Sequence, residues 1–187
     1  MNKKMRGLTL IELLIVVAII GILAALLIPN ALEAIQKAKQ KSGMKEITTI
    51  ATAMADYMTD HGDFVTLDQN GPLEAGNAFM TAISSFYVKV VPINDPWSNP
   101  YQVHTGTGVS TLIASASGTE IGDDDFAIAS FGRDKAEGPV GGAQYSTTTP
   151  EGARYNVSSM TDFNNDLVNW NGSWIAAPAT AAVGAAT

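Results

Sequence analysis

MNKKMRGLTLIELLIVVAIIGILAALLIPN, residues 1–30, decides the architecture. Lys3, Lys4, Arg6 and Gly7 come first, and from Leu8 to Ile28 only Thr9 and Glu12 are polar. As helix that run measures roughly 31 Å, close to the apolar thickness of a bilayer. A secretory signal has a shorter apolar core followed by a small-residue cleavage site, and here the chain continues as helix instead. A plain anchor fits the length but leaves Glu12 without a purpose. An acid at the centre of a membrane helix costs about 2.5–3.5 kcal/mol, and such acids have partners or functions. The simple alternative is a glutamate near the interface that reaches water.

Working outward, the 187 residues suffice for an anchor and one domain. The net charge of −7 hides a division: seven Lys/Arg stand against two acids up to Lys45, and four against sixteen beyond it. An acidic body argues against binding a phosphate backbone, so no nucleic-acid partner is expected. The basic residues flanking the apolar run favour the cytoplasmic side or anionic headgroups. With no cysteine, disulfides and thiolate metal sites are excluded.

Asn30 to Asp60 reads as further helix, with Ile47, Ile50, Ala51, Met54 and Met58 recurring at three- and four-residue steps. Lys37, Lys39, Lys41 and Lys45 read as a solvated face, and HGDF at 61–64 supplies the stop. Pro29 removes a hydrogen bond and predicts a break inside this long helix rather than its end. A short helix is predicted within Pro72–Phe86, with Leu73, Ala75, Phe79, Ala82, Ile83 and Phe86 as core contacts. YQVHT, STLIASA and DFAIASF read as strands, with GTG at 106–108 as the hairpin between the first two. From Gly132 the chain reads as a long loop ending in a frayed PATAAVGAAT tail. The predicted class is α+β: a long N-terminal membrane helix packed on a small antiparallel sheet domain with a long C-terminal loop.

KKMRG–LTLIE resembles the leader and first mature residues of type IV pilins and type II secretion pseudopilins. The resemblance implies cleavage by a prepilin peptidase between Gly7 and Leu8, N-methylation of Leu8, and a mature chain whose fifth residue is Glu12. Leu8 stands where the family usually has phenylalanine. It also implies that Glu12, an uncompensated charge in lipid, pairs with the processed amine of a neighbouring subunit and guides it into a filament. The segment around Pro29 is expected to unwind on assembly. The implied segments are a leader at 1–7, a membrane and filament-core helix at 8–29, its amphipathic continuation at 30–62 and the body at 63–187.

DPWSNPY at 95–101 reads as a rigid turn carrying a packed Trp97, and resembles an element of the major pseudopilin of type II secretion. FGRDKAEG and NNDLVNW resemble that family's C-terminal calcium loop. Carried over, Asp134 and Asp166 would supply carboxylates, Asn165 an amide oxygen, and Phe131 and Phe163 backbone carbonyls. Asn165 replaces a usual acid, with Asp162 as its alternative, and a segment such as Pro139–Tyr155 must loop out as an insertion. Calcium suits such an oxygen-rich loop and would do the stapling that cysteines cannot do here. Asp123–Asp125 reads as a solvated turn.

No enzyme is expected. His61 and His104 have no metal-ligand spacing, and no nucleophile elbow, phosphate loop or zinc motif occurs. The resemblance implies a structural subunit of a type II secretion pseudopilus, a homopolymer that helps push exoproteins through the outer membrane. Its implied partners are the prepilin peptidase, an inner-membrane platform with its ATPase, and minor pseudopilins. The implied location is the inner membrane, single-pass, with the body in the periplasm. The alternative is a type IV pilus subunit for adhesion, motility or DNA uptake.

Overall fold

The computed structural model describes residues 7–64, 67–114, 121–138, 142, 145–149 and 152–179. The leader before Gly7, the end of the STLIASA run, much of the 139–155 insertion and the tail beyond Ala179 lie outside the described residues. The chain divides into two compact units, one up to Gln36 and one from Lys37 onward.

In the first unit the chain is helical from the outset: α1 spans Leu10–His61 and runs uninterrupted through Pro29. Proline's missing N–H removes one rung of the ladder, yet neither the predicted break nor a stop occurs in the isolated chain. The large apolar side chains from Leu8 to Ile28 are all more than half exposed, and this stretch is long and apolar enough to cross a membrane.

In the second unit α1 changes character. Ile47, Ile50, Ala51, Met54 and Tyr57 are buried with Phe79, Val103, Phe126, Ile128 and Leu167, so the predicted stripe is the one that packs on the sheet. Gly43 lets the helix approach closely: a Cβ there would lie 3.4 Å from Pro96 Cδ and 3.6 Å from Leu167 Cδ1. The helix ends where expected. Gly62, at φ +88°, donates its N–H to the Met58 carbonyl (2.8 Å), a left-handed cap that glycine adopts without strain.

The sheet has six strands in the order β1-β2-β3-β5-β6-β4. They are β1 Asn70–Pro72, β2 Gln102–Thr105, β3 Phe126–Ser130, β4 Arg154–Tyr155, β5 Leu167–Trp170 and β6 Ser173–Pro178. All pairs are antiparallel except β4 with β6. The short helix α2, Ala78–Ile83, starts at Asn77, whose side chain accepts the Met80 N–H.

The structure corrects three expectations and adds one feature. STLIASA is not a strand: Val109–Leu112 forms a helical turn, α3, entered from a 3-10 turn at Gly106–Gly108, so GTG is not a hairpin loop. Ser110 and Thr111 hydroxyls donate back to the carbonyls of Thr107 and Gly108, local bonds that favour a turn over a ladder. The sheet is also buried on both faces. Phe126 and Ile128 of β3 face the α1 cluster, whereas Ala127 and Ala129 join a second cluster with Val109, Ile113, Val168 and Ile175. The presumed loop after Gly132 supplies three strands; β5 and β6 are joined by Asn171-Gly172, both at positive φ (48° and 84°), a two-residue hairpin turn. Finally, Ala75 and Phe86 are exposed rather than in the core, while Leu73, Phe79 and Ile83 are buried as expected.

Candidate functional site

At the start of α1 the sequence T-x-x-E folds into a reciprocal cap. Thr9 N–H and Thr9 Oγ1 donate to Glu12 Oε2 (2.8 and 2.7 Å), and Glu12 N–H reaches Thr9 Oγ1 (3.3 Å). Two free donors of the first turn are thereby satisfied, and a negative group sits at the positive end of the helix. One oxygen of Glu12 is thus hydrogen-bonded within its own chain, by the neutral donor Thr9. The signal was visible in the sequence as Thr-x-x-Glu before an apolar run. Both members lie after the Gly7–Leu8 bond, so cleavage there leaves the cap intact. Both bonds fall on Oε2, and none of the described bonds uses Oε1. Leu8 and Gly7 are exposed, so the bond between them lies open ahead of the helix.

The DPWSNPY stretch forms the rigid turn expected of it. Buried Asp95 accepts the N–H groups of Trp97 and Asn99 (2.9 Å each) on one oxygen and the Ser130 hydroxyl (2.7 Å) on the other. Its own N–H goes to the Asn99 carbonyl at 2.8 Å. Trp97 is buried, and Tyr101 at the end of the stretch donates its hydroxyl to Glu46 of α1 (2.8 Å). Burial beside that carboxylate pushes the Tyr101 phenol well above its ordinary range.

The loop residues named as calcium ligands sit around the turn after β3. Gly132, at φ +68°, has the carbonyl oxygens of Phe163 and Asn165 within 3 Å of where a Cβ would stand. Gly138 is as closely approached by the Asn164 carbonyl and by Asp166 Oδ1. Asp166 is buried, and Gly138 N–H donates to its two oxygens (2.9 and 3.1 Å). Burial, with the charges of Glu137 and Asp134 nearby, pushes its carboxyl up to about 7 despite that bond. Phe163 carbonyl accepts the Arg133 N–H (2.8 Å), and Asn165 is buried with its N–H on the Asp162 carbonyl (3.3 Å). Phe131 is half-buried against the second core cluster. Asp134 is exposed and accepts the Ala136 N–H (3.3 Å). Asp162 is committed to Ser158 and Ser159, whose N–H bonds hold its carboxyl below the usual range. Among the described residues no three carboxylate or imidazole groups gather as a metal cluster. Calcium does not require one, because carbonyl and amide oxygens fill most of its shell. The Asn164 Oδ1 is buried with no hydrogen-bond partner, a bare oxygen in a loop already lined with carbonyls. Oxygen donors of this kind would suit a hard cation.

Asp123–Asp125 is not simply a solvated turn. Asp123 and Asp124 are exposed, but buried Asp125 accepts the Trp170 indole N–H (3.2 Å), the Gly122 N–H (2.6 Å) and the Asn171 side-chain amide. It braces the β5–β6 hairpin. His61 closes the end of α1, stacked on Tyr57 with ring centroids 4.0 Å apart. His104 lies on β2 beside the Thr111 hydroxyl (2.8 Å).

Against known proteins, residues 2–28 match the family model described as the prokaryotic N-terminal methylation motif. The chain is 36% identical over 136 residues to the type II secretion system core protein G of Pseudomonas aeruginosa, covering 67% of this chain and 94% of that protein. It is 32% identical over 131 residues to the core protein G of Escherichia coli K12, covering 66% of this chain and 90% of that protein. The type IV major pilin PilA of Myxococcus xanthus is 38% identical over 87 residues, covering 45% of this chain and 39% of that protein. No solved structure matches the chain significantly. An apolar helix with a capped N-terminal acid, in a chain that also holds a small sheet domain, defines the class as a pilin-like subunit. Within that class the chain belongs to the core protein G family, the major pseudopilins of type II secretion.

Proposed function

We propose that this chain is processed between Gly7 and Leu8 by a prepilin peptidase, methylated on Leu8 and polymerised into a pseudopilus that moves exoproteins toward the outer membrane. Before assembly it is a single-pass inner-membrane protein with its body in the periplasm. An inner-membrane platform with its ATPase adds the subunits, and minor pseudopilins complete the filament. The observation that carries this reading is the state of the first helical turns. Every large apolar side chain from Leu8 to Ile28 is exposed, and only lipid or further copies of the same helix can cover such a surface. Glu12 supplies the register. Its Oε2 accepts the Thr9 bonds, which supports a reading in which Oε1 receives the Leu8 amine of the next copy. In apolar surroundings that attraction is several times its strength in water. The direct test is mass spectrometry of the protein from cells that contain the processing peptidase, with sheared cell-surface material. The expected result is a mature chain beginning at methylated Leu8 in filaments. An intact leader, or monomers under every assembly condition, would overturn the reading.

The same proposal extends to the loop after β3. Asp166, Asn165 and the carbonyls of Phe131 and Phe163 would hold a calcium ion, with Asn164 Oδ1 as a further oxygen and Asp134 from the exposed turn closing the shell. The ion would neutralise the charges that now push on Asp166 and tie β3 to the segment before β5, a structural role like that of a disulfide.

A further inference from the structure

We propose that the acidic patch of Asp56 and Asp60, with the exposed Phe86 beside it, on one copy docks against the lysine-rimmed groove of another copy, making a body-to-body contact. The inference rests on the filament reading and adds an interface that the Glu12 pairing does not contain.

The groove, about 730 Å³, runs along the outer face of α1. Met44, Val157, Trp174 and Pro178 give it an apolar floor. Lys41 and Lys45, one turn apart and both exposed, form its rim, and the small side chains of Thr48 and Thr52 extend it. Apolar floor and cationic rim together ask for an apolar side chain beside carboxylates.

The chain carries that counterpart at the other end of the same helix segment. Phe86 is 80% exposed and Val90 73% exposed, in a body whose other large apolar side chains outside the membrane segment are mostly covered. The turn that presents Phe86 is strained: Ser85 sits at φ +76°, a left-handed conformation that a non-glycine residue adopts at some cost. Phe86 is also held in place, packed edge-on against Tyr87 with ring centroids 4.8 Å apart, while the Tyr87 hydroxyl donates to Asp60 (2.9 Å). Asp56 and Asp60, both exposed, line one small concavity with Phe86. A rigid, strained, exposed aromatic beside carboxylates is arranged for contact rather than left over from folding. Lys89, exposed three residues on, leaves the acids in the majority.

A copy cannot fill its own groove. Lys41 and Asp56 are fifteen residues apart on one straight element, roughly 22 Å along its axis. The two surfaces are different patches, so their pairing is heterologous and open-ended, the kind of contact that propagates a filament rather than closing a dimer.

The chain has no cysteine, so introduced thiols report without background. The test places Phe86→Cys and Thr48→Cys in one full-length chain and applies a mild oxidant to assembled filaments. A ladder of disulfide-linked multimers is expected from the double variant and only monomers from either single variant. Filaments that form but give no ladder would overturn the interface and leave the filament reading standing, as would dimers from Phe86→Cys alone. Absence of filaments even from the unsubstituted chain would overturn the filament reading itself, and this inference with it. A second measurement avoids cysteines. Lys41→Glu with Lys45→Glu should lower filament yield about five-fold or more, roughly 1 kcal/mol per contact. Adding Asp56→Lys and Asp60→Lys to the same chain should restore it. A yield unchanged by the lysine reversals, or not restored by the matching pair, would count against the contact.

Discussion

At the scale of single residues, the Thr9–Glu12 pair separates two roles that one acid performs at once. Its hydrogen bonds cap α1, and its charge remains available on Oε1. Thr9→Ala removes the cap and keeps the charge; a lost cap costs about 1 kcal/mol of helix stability. That variant should still polymerise, with amide exchange at the first turn of α1 accelerated roughly five-fold. Amide exchange as slow as in the parent chain would show that the cap contributes nothing. Gly43 is the other residue whose identity is dictated by space. A methyl there would only touch Pro96 and Leu167, so Gly43→Ala should be nearly neutral, contact strain offsetting the gain in helix propensity. Gly43→Leu overfills the same gap and should cost about 1–3 kcal/mol, read as a shift in the denaturation midpoint of the full chain in detergent.

At the scale of elements, what was legible followed from periodicity, and what was not followed from turns and long-range pairing. The stripe of α1, the buried β2 and β3 and the DPWSNPY turn could be read because each pattern is local. The β5–β6 hairpin was missed although Asn171-Gly172 announces it, because β5 is buried almost throughout and β6 through its middle, and neither shows apolar–polar alternation. α3 was misread because Val109, Leu112 and Ile113 fit a short strand as well as one helical turn. The two glycines of the β3 loop carry a prediction. Gly132→Ala meets backbone carbonyls at 2.8–2.9 Å and an unfavourable φ, so it should destabilise the body by about 2 kcal/mol or more. A thermal scan unchanged from the parent chain would refute that close packing. β2 carries a pH dependence. Burial lowers the His104 pKa below its ordinary 6.5, with the Gly108 carbonyl opposing the shift. The folded state thus binds fewer protons than the unfolded one. Its stability contribution is complete above about pH 6.5 and is lost as pH falls toward the lowered folded value. The raised Asp166 carboxyl acts with the opposite sign in that window and is common to both chains, so the test is the difference in thermal midpoint between the parent and His104→Gln chains, which should shift against the parent on acidification.

At the scale of the whole molecule, a helix that the isolated chain leaves uncovered and a body that folds around its own double-faced core point to assembly. Exposed apolar surface belongs to the first, and stability to the second. The N-terminal motif was legible because it is short and contiguous. The proposed calcium loop is harder to read, since its candidate oxygens come from separate segments and the bare Asn164 Oδ1 shows only in the folded chain. Calcium should raise the thermal midpoint of the full chain in detergent, and a chelator should lower it; Asp166→Ala should abolish the difference. An identical midpoint with and without the ion would remove the metal and leave the filament untouched. The charge on Glu12 is the point on which assembly turns. Glu12→Gln keeps an oxygen to accept the Thr9 bonds and removes only the charge. Filament yield from that variant, in cells with the processing peptidase and platform, is the most direct measurement. Processing and membrane insertion should match the parent chain while filaments fall at least about tenfold; undiminished filaments from the glutamine chain would contradict the pairing of a buried acid with its neighbour's amine.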